Sequence, residues 1–294
     1  MSWDRHEVEG RPLFVWAPED RSRSYPTVYV LHAHMRSAEW WFNVEPFELS
    51  YPQRVEALTP DAVVALVDGW TDVGGGPWSG ELADYLRDTV VPFVDGTYPT
   101  TGLRGLQGKS SGGYGSIVNA LERPDLFHAV AAHAPDALFE VTLAHSFPAV
   151  ARALRDRTPE EFWASFDGLH STTDVLLVEM IAAARAFGDG SFPFDELGRV
   201  IPERLEEWLE RDPVRIAAAR PEAVRNLRGV WLDAGDHDEY FLDLGALALR
   251  DAVLAAGLPA ERLHFELFSG GHGGMTPRYP LSLAFLVERL SMTF

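Results

Sequence analysis

The chain has 294 residues, no cysteine and a formal net charge of −19. Disulfides, thiolate metal sites and a cysteine nucleophile are excluded, and so negative a field repels nucleic acid and anionic lipid, so neither is expected as a partner. Hydrophobic residues make up 46%, enough for a substantial core, yet no run approaches the ~18 consecutive apolar residues of a membrane span.

The first residues, Met1 to Glu7, have no apolar signal core, which makes a cytoplasmic location the expectation. Leu13–Ala17, Thr27–Leu31 and Ala62–Val67 read as strands, the last ended by Asp68-Gly69. Glu81–Val91 reads as a helix bent or stopped at Pro92. Leu103–Gln107 and Ala129–Ala132 read as further strands, and Gly229–Asp233 and Leu263–Phe268 follow much later. Leu281–Leu290 is a closing helix, with Thr276-Pro277 as its start. Strands alternating with helical patterns predict βαβ units, a mostly parallel sheet and an α/β fold.

The interval between Ala132 and Gly229 is too long for one crossover and is helix-rich. Thr158-Pro159-Glu160-Glu161 is a capping box with proline at the first helical position. Asp174–Phe187 is apolar on nearly all faces, Leu205, Trp208 and Leu209 form a helical stripe, Asp212-Pro213 starts another helix, and Gly188–Pro193 is a loop. The chain therefore reads as one domain, 1–294, with a helical insertion at about 136–226 lying over the carboxyl edge of the sheet, where α/β ligands bind.

Between the strand ending at Gln107 and a helix starting near Gly113 stands Gly108-Lys109-Ser110-Ser111-Gly112. Strand, G-x-S-x-G, helix is the pattern of a nucleophile elbow, in which a sharp turn lifts the serine hydroxyl above the sheet and tiny neighbours make room for it. A serine needs a base to take its proton, and the base needs an orienting acid. The acid is sought after Gly229–Asp233, in Ala234-Gly235-Asp236-His237-Asp238-Glu239. Asp238 is chosen, Asp236 is the alternative, and Asp233 belongs inside the strand. His272, among four glycines directly after the last strand, combines strand-end position, flexible flanks and chain order. Its imidazole suits proton transfer near neutral pH.

Oxyanion donors are expected from the backbone N–H of Ser111 and from the loop after Thr27–Leu31, with His34 first and Met35 next. His32 and His34 have an i,i+2 spacing that two metal ligands could share, but no third ligand is evident, so neither a metal nor any other cofactor is expected. Met35, Trp40, Trp41, Phe42, Trp70 and Trp78 are candidate pocket residues. Lys109, the one lysine of the chain, is a candidate for holding an acidic substrate.

These pieces resemble the putative esterase family of α/β-hydrolases, which includes esterase D (S-formylglutathione hydrolase), enterochelin esterase, feruloyl esterases and the antigen 85 mycolyltransferases. The resemblance is carried by Tyr25–His32, Asp68-Gly69-Trp70, Asp95 with Tyr98 and Thr100, Gly108–Gly115, Pro124–Phe127, Asp233–Leu242 and Gly271-His272. It implies the α/β-hydrolase fold, no metal, and the triad Ser110, Asp238 and His272. Ala33, where the family has glycine, and Ala134-Pro135, where Ser-Gly is frequent, depart from its pattern. The expected activity is a serine carboxylesterase acting through an acyl-enzyme on a small or medium acyl ester or thioester. Acyl transfer of the antigen 85 type and a non-catalytic binding protein are the alternatives, and a homo-oligomer is compatible with either.

Overall fold

In the computed structural model, which describes residues 3–43 and 47–292, the apolar runs pair into one eight-stranded sheet. The strands are β1 (Asp4–Val8), β2 (Arg11–Trp16), β3 (Tyr25–Leu31), β4 (Val63–Val67), β5 (Thr100–Lys109), β6 (Ala129–His133), β7 (Gly229–Gly235) and β8 (Leu263–Phe268). Their order is β1-β2-β4-β3-β5-β6-β7-β8. The first two pairings are antiparallel and the remaining five are parallel. Every residue of β3, β4, β6 and β7 is buried, as expected for strands covered by helices on both faces. Two apolar cores result, one on each face of the sheet.

Because β3 and β5 to β8 run parallel, their carboxyl ends share one edge of the sheet. Strand order reverses at β3, which lies between β4 and β5, and such a switch point opens a crevice for ligands. The loops that follow β3, β5, β6, β7 and β8 carry His34, Ser110, Asp136, Asp238 and His272 in turn.

Some local expectations are revised. The sequence reading lacks β1, a polar edge strand whose residues are mostly exposed. The helix from Glu81 passes through Pro92: Glu81–Asp84 leads into a π-helical segment, Tyr85–Val90, and then Val91–Thr97. The wider π turn accommodates a proline that has no N–H to donate. The last helix begins at Tyr279 with Pro280 in its first turn, not at Thr276-Pro277.

Between β6 and β7 the chain is helical, as read. Thr158 and Glu161 form the capping box of Pro159–Ala164. Asp212 caps Pro213–Ala219 through Val214 N–H (2.8 Å) and also accepts Phe139 N–H (2.6 Å), tying the two ends of the segment together. The helix Thr172–Phe187 buries Leu177, Val178, Met180, Ile181, Ala182 to Ala184 and Phe187.

Candidate active site

The elbow forms because two glycines permit it. A Cβ on Gly108 would collide with the Gly112 carbonyl, and one on Gly112 would collide with the Leu31 carbonyl. Ser110 itself sits at φ +55° and ψ −123°, a strained conformation for a non-glycine residue and one that clusters at functional sites. It is held there by Ser110 N–H donating to His133 O (2.9 Å) and Tyr114 N–H donating to Ser110 O (2.8 Å). The helix Ser111–Glu122 starts immediately after it, so the Ser111 N–H belongs to the first turn and has no intrahelical acceptor.

A cavity of about 260 Å³ opens over this turn. Ser110, His272, Lys109 and the loop Ala33–Arg36 line it, with Trp40, Trp41, Tyr240 and Tyr279 as walls. Leu169, Val175 and Glu179 of the β6–β7 helical segment, with Leu242, complete the lining. Thus Met35, Trp40, Trp41 and Lys109 stand at the cavity. Trp78 and Trp70 do not line it. Trp78 is wholly buried, donates Nε1–H to His32 O (3.0 Å) and fills the space beside Gly69 and Gly115. Trp70 lies half exposed in a separate groove with Arg11, Ser37, Glu39 and Asp68. Phe42 packs on Phe14 and Trp3.

The loops after β7 and β8 are stitched together. His237 N–H donates to Gly270 O (2.9 Å), and the Asp236 carboxylate accepts Gly270 N–H (3.0 Å). Asp236 otherwise pairs with His237, both in solvent (2.7 Å). Asp238 is buried, and its Oδ2 lies 2.8 Å from His272 Nδ1 while its Oδ1 accepts Tyr240 N–H (2.9 Å). Burial works to raise the Asp238 pKa, but the His272 hydrogen bond and charge and the backbone N–H groups outweigh it and hold the carboxyl below its ordinary range. With Nδ1–H facing Asp238, Nε2 is the nitrogen left for the cavity. Glu239 accepts His272 N–H (2.7 Å) and Tyr240 packs edge-on against the imidazole, fixing the ring.

Ser110 Oγ donates to Asp136 Oδ1 (3.2 Å). Asp136, just after β6, is missing from the sequence reading. Burial pushes its carboxyl up to about 7; the Ser110 hydroxyl and Lys109 pull the other way and Asp238 adds to the rise. Glu179 is a second such carboxyl, raised to about 8 by burial and then by Asp136 and Asp238. It is the one charged residue between Val175 and Ala184, a signal the sequence carries. Lys109 is depressed to about 8, first by burial, against the pull of Asp238.

The loop after β3 is equally fixed. His32 Nε2 accepts Gly69 N–H (2.8 Å), so the proton resides on Nδ1, which donates to Ala33 O (2.9 Å). Both nitrogens are therefore occupied, and burial holds His32 neutral. Asp68 accepts Ala38 and Trp70 N–H (2.7 and 3.0 Å). Met35 is at φ +57° and its N–H donates to Gly74 O (2.8 Å).

Beneath the cavity lies a buried Ser–His–Asp chain. His133 Nδ1 is 2.6 Å from Asp233 and His133 Nε2 is 2.8 Å from Ser282 Oγ. All three residues have zero exposure. Asp233 also accepts from Trp231 Nε1 (2.8 Å) and Arg278 Nε (2.6 Å), and Gln107 links Ser282 (2.6 Å) to Tyr51 (2.6 Å). Hydrogen-bond order alone does not make a catalytic triad; this one is sealed from any substrate and ties β5, β6 and β7 to the last helix.

A family model described as "Putative esterase" matches residues 9–273. Among solved structures, a ferulic acid esterase superposes with a TM-score of 0.62 at 16% identity, over 99% of this chain and 98% of that one. The serine hydrolase FphF of Staphylococcus aureus, described as fluorophosphonate-binding, gives 0.58 at 15%, over 99% and 98%. An S-formylglutathione hydrolase from Agrobacterium tumefaciens gives 0.55 at 14%, over 98% and 95%. At these identities the likeness establishes the α/β-hydrolase fold.

Proposed function

This chain belongs to the putative esterase family and acts on ester bonds, and we propose that it is a serine carboxylesterase in which Ser110 is the nucleophile, His272 the base and Asp238 the orienting acid. The observation that carries the reading is the pairing of a buried Asp238 with His272 at the cavity where the strained Ser110 is presented. On substrate binding the Ser110 hydroxyl turns from Asp136 toward His272 Nε2, gives up its proton and attacks the carbonyl carbon. Catalytic hydrogen bonds commonly tighten in this way only in the complex.

The oxyanion is received by the N–H groups of Ser111 and His34, since Met35 N–H is already held by Gly74. His272 then protonates the leaving alcohol or thiol, and water repeats the cycle on the acyl-enzyme. A cavity of about 260 Å³ suits a small or medium acyl ester, being below the range of roughly 300–1,000 Å³ typical of larger ligands. Met35, Trp40 and Trp41 form its apolar wall, and the helices between β6 and β7 act as a cap that contributes Leu169, Val175 and Glu179.

The test is Ser110→Ala assayed with a chromogenic ester, alongside labelling by a fluorophosphonate probe. Wild type hydrolyses the ester and is labelled; the variant keeps its fold and does neither. Unchanged hydrolysis by the variant refutes the assignment.

A further inference from the structure

Next to this cavity, beside Ser111, lies a recess of about 10 Å³, lined by Asp136, Glu179, His34 and Ser111 and walled by Pro77, Leu143, Ala183 and Phe187. Its size admits one water-sized group. His34 and Glu179 line both the recess and the main cavity, so the recess adjoins the cavity there. Its polar complement is one-sided. Among the described residues no cation pairs with Glu179, and Lys109 and Arg36 line the larger cavity and not the recess.

Two further observations point to a ligand here. Ser111 is 2% exposed and its Oγ makes no hydrogen bond. Both ring nitrogens of His34 are out of solvent; the Val178 backbone faces one of them and the other has no partner. Buried polar groups without partners are costly and uncommon, and here two of them border the same polar recess beside the candidate nucleophile. Burial drives the His34 pKa down to about 4, so it presents a neutral ring with a lone pair to share. The recess therefore offers two carboxyl groups, a hydroxyl oxygen and an imidazole nitrogen, all able to accept.

We propose that this recess binds an ammonium group, so that the preferred substrates are esters whose acyl part carries a primary amine α or β to the carbonyl. The inference rests on the serine esterase reading above. An ammonium brings three N–H donors and no acceptor, which matches the acceptors present. The reach also fits. The α-nitrogen of an acyl group lies about 2.5 Å from its carbonyl carbon, and the Asp136 carboxylate, 3.2 Å from the resting Ser110 Oγ, is freed when that hydroxyl turns to His272. An α-ammonium thus meets Asp136, and a β-ammonium extends toward Glu179. The cation supplies the charge that the raised carboxyl groups lack, and the net charge of −19 attracts it from a distance.

The experiment compares p-nitrophenyl esters of alanine, propionate and N-acetylalanine, each kcat/KM being divided by the ester's own hydroxide-catalysed rate to remove the inductive effect of the amine. In wild type the normalised alanyl rate exceeds the propionyl rate on the order of tenfold to a hundredfold, and N-acetylation abolishes the advantage. Glu179→Gln and Asp136→Asn each bring the ratio toward one. A wild-type ratio at or below one overturns the proposal, as does an advantage that survives in both variants; if the variants fail to fold, the three wild-type rates still decide. Ser110-dependent cleavage of the propionyl ester without an amine advantage overturns this inference alone. No cleavage of any ester together with no fluorophosphonate labelling of Ser110 overturns both readings.

Discussion

Asp238→Asn tests the proposed orienting acid, and its effect follows from how two acceptors are used. Asp238 Oδ1 takes Tyr240 N–H at 2.9 Å and Oδ2 faces His272 Nδ1 at 2.8 Å. Asparagine has one oxygen. If that oxygen faces His272, the NH₂ opposes Tyr240 N–H and a buried donor is left unpaired, at a cost of about 1–3 kcal/mol. The favoured orientation therefore keeps the oxygen on Tyr240 and turns NH₂ toward Nδ1. His272 must then accept at Nδ1 and carry its proton on Nε2, where a base needs a lone pair. In serine hydrolases this wrong tautomer lowers kcat by about 10⁴, equivalent to about 5.4 kcal/mol on the barrier.

The assay is steady-state hydrolysis of a chromogenic ester, with thermal unfolding to verify the fold and Asp236→Asn as control. Asp236 is the acidic neighbour that pairs with exposed His237, and its exchange changes kcat by only a few-fold. An Asp238→Asn enzyme within tenfold of wild type, or equal losses in both variants, would falsify the assignment of Asp238.

Ser282→Ala removes the buried hydroxyl shared by His133, Gln107 and Tyr279 O. It should lower unfolding stability by about 1–3 kcal/mol while fluorophosphonate labelling persists; loss of labelling in a folded variant would give the inner Ser–His–Asp chain a catalytic part. Gly112→Ala drives a methyl into the Leu31 and His32 carbonyls, and chemical denaturation should show a loss of at least about 1–3 kcal/mol. Gly96→Ala, in a helix with nothing within 4 Å, should be neutral or stabilising by up to about 1 kcal/mol, and similar losses for the two would contradict the steric argument. Glu179 has a folded pKa raised from 4.5 to about 8. Its unfolded form ionises first as pH rises, so Glu179 destabilises increasingly from about pH 4.5 to about pH 8 and not below that window. Glu179→Gln should therefore raise Tm at pH 8 and leave it unchanged at pH 4, and an equal shift at both pH values would show that ionisation is not the cause.

Much of the candidate site's placement was legible as spacing. Gly108 and Gly112 flank Ser110 because backbone carbonyls from the elbow and β3 occupy the space a Cβ would need, and a steric demand of that kind leaves a mark in sequence. Asp238 and His272 were legible because each directly follows a strand whose carboxyl end must lie at the same edge. The aromatic residues were less readable. Trp40 and Trp41 line the cavity while Trp78 packs in the core, and nothing local to a tryptophan states which side of a loop it faces. The π-helical segment before Pro92 was also hidden, since a π turn depends on how the whole helix is held against the sheet.

Residue types and their order along the chain determined the α/β fold and the sharp turn that presents Ser110, because turn sterics and strand periodicity act over a few residues. Tertiary structure alone decided which carboxylates share a space. Asp136 and Glu179 stand 43 positions apart in sequence, yet both line one recess beside Ser110. His133, Asp233 and Ser282 have the bonding order of a triad but sit under the sheet edge with no exposure. Burial and proximity across distant segments set pKa, access and partner, and those quantities exist only once the chain has folded.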